Sequence, residues 1–421
     1  MNMVMPLHGV RNKVPKKSIF TEGLDPILIG LSLSILCLGL VMVASASITV
    51  ADRNIASPFY YLQRQAMAAG MGLIAALFML KIRLVHWEKA GMVLLGVSFV
   101  MVILVLVPGI GKTVNGSTRW IPVGIFNLQV SEMVKLFLMI YVAGYLVRHG
   151  EQVRSTLWGF LKPMIMVGLV CMFLLLEPDF GASVVIMTTV LCMTFLAGVR
   201  FTQFLAIITL FGSAAALLVI SSPYRLQRLT TFVNPWADPF DSGFQLTQSL
   251  IAIGSGGWSG TGLGGSVQKL FYLPEAHTDF VFAIMAEELG FIGVITVILL
   301  YAALVLRSFV IARRAEAHGN QFASYLAYGI GIWLGLQAFI NIGVNMGALP
   351  TKGLTLPLMS YGGSSLIIVC ASLGLLLRIN YECVTGQAMT RSAGRAVAEK
   401  STANNASRTA KTMRETLGEA A

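Results

Sequence analysis

Five ionisable side chains, Glu275, His277, Asp279, Glu287 and Glu288, fall within the stretch LPEAHTDFVFAIMAEELG at the mouth of a long apolar run. A charged group at the centre of a bilayer costs about 2.5–3.5 kcal/mol on insertion scales, so such residues are paired, hydrated or functional. A helix starting near Asp279 puts residues 279, 283, 286, 287 and 290 on one face, with Glu287 about 12 Å below Asp279. That face reads Asp279, Ala283, Ala286, Glu287, Gly290. Its small residues leave room beneath the first carboxylate for a cavity or for close helix packing. Glu288 is turned about 100° away and needs a different partner. Asp279 is therefore expected at a water boundary, and Glu287 deeper, in a structural role.

Other charges sit where the chain must turn. In GIGKTVNGSTRWIPVGIFNLQVSEMVKL, Asn115 and Gly116 signal a turn and Ser131 can cap a helix beginning near Glu132. Glu132 and Lys135 then lie three apart on one face and can pair. Further on, 225–232 is amphipathic with Arg225 and Arg228 on one face, and 244–253 suits a second short helix. The glycine-rich stretch 254–265 resembles phosphate cradles, since glycine lets backbone N–H groups approach an anion. It lacks the strand-then-helix context of such motifs, which favours a flexible or re-entrant loop. In NMGALPTKGLTLPLMSYGGSS, Pro350, Pro357, Gly362 and Gly363 interrupt apolar sequence. Irregular backbone at membrane depth requires surrounding protein or a wet cavity. Lys352, its single charge, either snorkels or contacts an anion. EPDFG at 177–181 breaks the chain again, and Asp179 can serve there as a helix cap or a site residue.

The elements that must position these groups are membrane helices. Of 421 residues, 56% are hydrophobic and 12% charged, and the mean hydropathy is +0.77; a soluble core of this length is excluded. Runs long enough to cross a bilayer predict about ten spans: 24–48, 61–80, 90–108, 133–147, 163–177, 182–198, 203–221, 280–306, 323–344 and 364–379. The expected fold is an all-α integral membrane protein. Most of its 30 Lys and Arg fall on one side of this arrangement, which predicts two cytoplasmic termini and a large outer loop, 222–279, between spans seven and eight. The net charge of +11 reflects that bias and attraction to anionic headgroups, not nucleic acid. Four cysteines lie in spans and Cys383 in the inner tail, so no disulfide is expected. Residues 1–23 read as a cytoplasmic leader followed by an uncleaved first span, 24–382 as one membrane domain, and 383–421 as a polar, disordered or weakly helical tail.

The strings NPWADPFDSGFQLTQSLIAIGSGG, LPEAHTDFVFAIMAEELG and PTKGLTLPLMSYGGSS resemble the SEDS (shape, elongation, division, sporulation) family of cell-wall polymerases over about residues 24–382. PYRLQRLTTFVNPWADPF, GGSVQKL and LPTKGLTLPL are similar to its division branch rather than its elongation branch. The resemblance implies an inverting peptidoglycan glycosyltransferase that polymerises lipid II on the outer leaflet of the bacterial cytoplasmic membrane, at the division septum. Undecaprenyl diphosphate would leave. Asp279 matches the family's catalytic aspartate, a general base for the acceptor hydroxyl. Lys352, Lys135, Arg119 and Arg225 are candidates for balancing diphosphate charge, with Glu132, His277 and Ser360 as further substrate contacts and Asp179, Glu287 and Glu288 as structural or cavity residues. Glu177 departs from the glutamine expected before Pro178 and adds a charge there. No cofactor is required and no metal-ligand spacing is present, although a divalent cation could assist. The implied partners are the growing glycan strand, a class B penicillin-binding transpeptidase and other divisome membrane proteins, within the lipid bilayer. The transpeptidase's helix is expected near spans eight and nine, where Gly329, Gly331 and Gly335 permit close helix approach, either by that partner or equally by neighbours within the bundle. The competing readings are a lipid-precursor flippase or transporter, which predicts an ion path reaching both faces, and a non-enzymatic divisome scaffold.

Overall fold

A computed structural model describes residues 23–114, 117–124, 126–221, 223–241, 243–270, 272–350 and 353–386. The leader expected over 1–23 and the tail over 383–421 lie almost wholly outside the described residues, as does Lys352. Every expected span is a helix: α1 (Pro26–Ile55), α2 (Tyr60–Lys81), α3 (Leu84–Leu106), α4 (Val130–Arg148), α6 (Leu157–Leu176), α7 (Phe180–Leu196), α8 (Phe201–Ile220), α11 (Val281–Ala317), α12 (Gln321–Asn345) and α13 (Gly363–Val384). Short helices α5 (Gly150–Ser155), α9 (Pro223–Val233) and α10 (Phe244–Ser255) complete the set, the last two at the positions read from the sequence. Among the described residues, seven helices, α1, α3, α4, α6, α11, α12 and α13, are long and apolar enough to cross a membrane; α7 and α8 are shorter apolar helices. Gln63, Arg64 and Gln65 dilute the first turns of the 22-residue α2.

The helix ends follow from local chemistry. Asp25 caps α1 by accepting a hydrogen bond from Leu28 N, Pro26 occupies the first turn, and the chain leaves through Ala56 in the left-handed region. Asp25 also receives Arg307 of α11 in a two-pronged pair. Arg378 and Glu382 of α13 pair at 2.8 Å, and Glu382 accepts from Leu84 N at the start of α3. Asp179 Oδ1 caps α7 through Ala182 N. Ser131 does not cap α4: the helix starts at Val130, its N-cap is Gln129, and Ser131 instead accepts from the Gln129 side chain.

Packing centres on α4 and α13, the most enclosed of the spanning helices. The main helix pairs are α2 with α13, α11 with α12, and α3 with α4. Gly374 of α13 lies directly against the Ala76 backbone of α2. A three-stranded antiparallel sheet, β1 (Lys112–Val114), β2 (Ser117–Val123) and β3 (Phe126–Gln129), lies in the chain between α3 and α4, where the sequence suggested only a looped turn. Ser364 at the start of α13 accepts from Gln129 N and donates to Asn127 O, so β3 is fastened to that helix end.

The glycine stretch 254–265 is a docked loop. Thr261 N and Gly262 N donate to the Glu287 and Glu288 carbonyls, while Phe291 N and Ile292 N donate to Gly257 O and Trp258 O. This exchange of backbone bonds breaks α11 at Gly290, which adopts φ 64° and ψ −164°, a region open to glycine.

Candidate active site

Two irregular segments, residues 273–280 before α11 and 353–362 before α13, meet at one end of the bundle. Asp279 lies two residues before α11 rather than within it, so the predicted helical face begins late. The N-cap, Phe280, offers no side-chain hydrogen bond. Asn345 of α12 supplies a side-chain acceptor, taking the Ala283 N–H at 3.1 Å alongside Phe280 O. The Asp279 carbonyl in turn accepts from Asn341 Nδ2 at 2.9 Å and Asn345 Nδ2 at 3.0 Å. Its carboxylate is half-buried and abuts Gly353: a Cβ there would lie 2.8 Å from Asp279 Oδ2.

The carboxylate faces a cavity of about 400 Å³. Glu275 and Asp279 line it from one segment, Thr355 and Tyr361 from the other, Ser364 and Ser365 from the first turn of α13, Arg119 and Trp120 from β2, and Arg64 from α2. Anionic and cationic groups thus share one partly desolvated space, where opposed charges act more strongly than in bulk water. Gln65, beside Arg64, fixes the 360–362 turn by donating to Ser360 O and accepting from Gly362 N.

Of the residues expected from sequence, Asp279 and Arg119 line the cavity. Arg119 Nη1 stands 3.8 Å from Asp179 Oδ1, and Nη2 donates to Ser117 Oγ. Lys135 is fully enclosed, and its ammonium is 2.8 Å from both Glu132 Oε1 and Gln337 Oε1 and 5.1 Å from the Trp333 ring centre. The expected Glu132–Lys135 pair forms, but neither residue lines the cavity. Ser360 does not line it either; its hydroxyl accepts from Leu356 N. His277 packs on Tyr61, ring centres 4.6 Å apart, and its carbonyl accepts from Tyr361 N. Burial holds this imidazole below its ordinary pKa, opposed by nearby Glu275. Arg225 falls in α9, and its side chain lies outside the described set, as does Lys352.

The opening cluster therefore divides. Glu275 and Asp279 face the cavity, whereas Glu287 and Glu288 are buried beneath the 254–270 loop. Glu287 accepts from the Ser266 hydroxyl and from Val267 N. Glu288 pairs with Lys269 at 2.7 Å and accepts from Ser45. In the turn between α6 and α7, Glu177 is 1% exposed, and neither carboxyl oxygen has a hydrogen-bond partner among the described residues. Burial, reinforced by Asp179 and opposed by Arg119, pushes its pKa up to about 8. The upward shift favours the uncharged acid, closer in character to the glutamine expected there. Sequence reasoning missed Arg64, Gln337, Asn341 and Asn345. The available signal was a cation and buried-helix amides, the latter recurring every four residues, within apolar runs.

Fold and site define a polytopic, mostly helical membrane protein with a mixed-charge cavity at one end of its bundle. Residues 26–384 match the FtsW/RodA/SpoVE family, described as "Cell cycle protein". The chain is 59% identical over 359 residues to "Probable peptidoglycan glycosyltransferase FtsW" of Thioalkalivibrio sulfidiphilus, covering 85% of this chain and 90% of the relative. It is 54% identical to the protein of the same description from Coxiella burnetii, covering 87% and 99%. Among solved structures it resembles a chain of one described as "Structural coordination of polymerization and crosslinking by a peptidoglycan synthase complex", with TM-score 0.71, 31% identity and coverage of 86% and 98%. It also resembles the rod shape determining protein RodA of Thermus thermophilus, with TM-score 0.64, 31% identity and coverage of 85% and 97%. The chain belongs to the FtsW/RodA/SpoVE family.

Proposed function

We propose that the chain is the division-type peptidoglycan glycosyltransferase of its cell, polymerising lipid II at the outer face of the bacterial cytoplasmic membrane, with Asp279 as general base. The observation that carries this reading is the half-buried Asp279 carboxylate in a cavity shared with Arg64 and Arg119. The carboxylate takes the proton from the 4-hydroxyl of the acceptor N-acetylglucosamine. That oxygen attacks the anomeric carbon of the donor from the face opposite the diphosphate, the carbon–oxygen bond to phosphate breaks, and configuration inverts. Undecaprenyl diphosphate departs as an anion already able to carry the charge. Arg64 and Arg119 would offset that charge; no strong acid and no cofactor is required, and a divalent cation could add shielding.

Both termini are taken to be cytoplasmic and the enzyme to act at the septum with a class B penicillin-binding transpeptidase. The likeness to a chain of a peptidoglycan synthase complex supports such a partner. Gly329, Gly331 and Gly335 do not offer it a surface: Cβ atoms there would meet Met193, Ser308 and Val305 within the bundle. A partner helix is therefore expected on a lipid-facing surface away from these three glycines.

The test is polymerisation of lipid II by the purified protein with its transpeptidase. Asp279→Asn keeps shape and removes basicity, so glycan formation per folded molecule should fall about 10² to 10⁴-fold. A near wild-type rate in that variant rules out Asp279 as base.

A further inference from the structure

Three buried amides recur every four residues along α12: Gln337, Asn341 and Asn345, each 0–1% exposed. Residues at this spacing lie one above another on a helix, and this column faces the two irregular segments that carry the cavity. Gln337 Nε2 donates to Thr355 O at 2.9 Å. Asn341 Nδ2 donates to both Leu354 O and Asp279 O, so one amide spans the two segments. Asn345 Nδ2 donates to Asp279 O, and its Oδ1 accepts from Ala283 N. The ladder continues away from the cavity: Gln337 Oε1 accepts from Lys135 Nζ and from Trp333 Nε1, each at 2.8 Å.

We infer that Gln337, Asn341 and Asn345 are positioning residues that hold the Asp279 carboxylate in register with the 353–355 segment, and that the buried Glu132–Lys135 pair acts through Gln337. The inference rests on the reading of Asp279 as the base. Non-helical backbone before α11 and before α13 leaves carbonyls without partners inside their own segments, and unpaired buried carbonyls are costly. Side-chain amides from a neighbouring, regular helix satisfy them. Each amide carries two donors and an acceptor, so Asn341 adds a side-chain tie beside Asp279 to the Tyr361 N–His277 O backbone bond that joins the two segments farther along. The Asp279 carbonyl receives two of these bonds, and Gly353 of the facing segment touches its carboxylate. Loss of one rung frees the segments to shift relative to each other, and a displacement of about 1 Å can cost about 100-fold in rate. Lys135 has a role in this arrangement without touching substrate. Its ammonium holds the Gln337 oxygen, which leaves the nitrogen side directed at Thr355.

The test uses the full-length protein with its transpeptidase and compares Asn341→Leu, Asn341→Asp and Gln337→Met with Ile311→Ala, a buried apolar truncation farther along α11. Initial rates across lipid II concentrations give kcat and KM, and detergent melting gives stability. Asn341→Asp preserves volume but points acceptors at two carbonyls. We expect kcat to fall about 10- to 100-fold for each ladder variant, with KM changed by less than about twofold, because the bonds orient Asp279 rather than contact substrate. Ile311→Ala, at comparable thermal loss, should keep kcat within about twofold per folded molecule. Ladder variants with wild-type kcat, or an equal kcat loss in Ile311→Ala, overturn the inference. An Asp279→Asn arm separates the two readings. If it is inactive while the ladder variants turn over normally, only the ladder fails. If it polymerises normally, the base assignment fails and the ladder with it.

Discussion

Replacing Gly353 by alanine probes the Asp279 carboxylate without touching it. Alanine there adds a single methyl group on the carboxylate's side of the 353–355 segment. That methyl would stand 2.8 Å from Asp279 Oδ2. Ordinary contact for such atoms begins near 3.4 Å, so the carboxylate must give way by about 0.6 Å. If about 1 Å of misplacement costs about 100-fold, half of that corresponds to about 10-fold in kcat. Because Gly353 is exposed, the melting temperature should change little. The assay is lipid II polymerisation per folded molecule, with the same substitution repeated in the Asp279→Asn background. There the loss should shrink toward nothing, since the methyl has no base left to displace. Equal losses in both backgrounds, or an unaffected kcat in Gly353→Ala, would refute the claim that the position of this carboxylate sets the rate.

Lys269→Met should lower stability by about 3–5 kcal/mol by stranding Glu288, and adding Glu288→Gln should recover most of it; detergent melting of the three variants checks this. Gly374→Val should abolish recovery of folded protein, because its side chain would enter the Ala76 backbone of α2, and size-exclusion yield reports the outcome. Two carboxyl and imidazole shifts give opposite pH trends. Glu177 has a folded pKa of about 8 against 4.5 when unfolded, so its contribution is full below 4.5 and is lost as pH rises through about 8. Glu177→Gln should flatten that alkaline decline in melting temperature. His277 is depressed in the fold, so its contribution is full above the unfolded value near 6.5 and is lost as pH falls through the lower folded value; His277→Gln should blunt the acidic decline.

Spans were legible because apolar runs of bilayer length have few alternatives, and the Glu132–Lys135 pair because residues three apart on a helix must meet. The destination of Lys135 was not legible. A cation next to outer loops suggested diphosphate, yet helical phase turns it inward, to Gln337 and Trp333 of α12. Which face of α4 meets which face of α12 is a tertiary fact that charge alone does not encode. The sheet over 112–129 escaped for a related reason. Its strands are short, and they are held by pairing with each other and with the end of α13, so a local turn signal was all that the segment displayed.

The glycine stretch shows how a motif's meaning depends on where its donors go. An anion cradle needs backbone N–H groups that are unpaired and convergent. Here the N–H groups of Gly260, Thr261, Gly262 and Gly265 donate to the carbonyls of Gly256, Glu287, Glu288 and Gly262. Those donors cannot also hold a phosphate. The glycines serve close approach instead: side chains at Gly256 and Gly260 would strike the backbone of residues 286–288. What the stretch contributes to the chemistry is indirect. By breaking α11 at Gly290 and burying Glu287 and Glu288 under Ser266 and Lys269, it fixes the first ten residues of that helix. Asp279 sits two residues ahead of them, so a glycine loop remote from the cavity helps decide where the carboxylate stands.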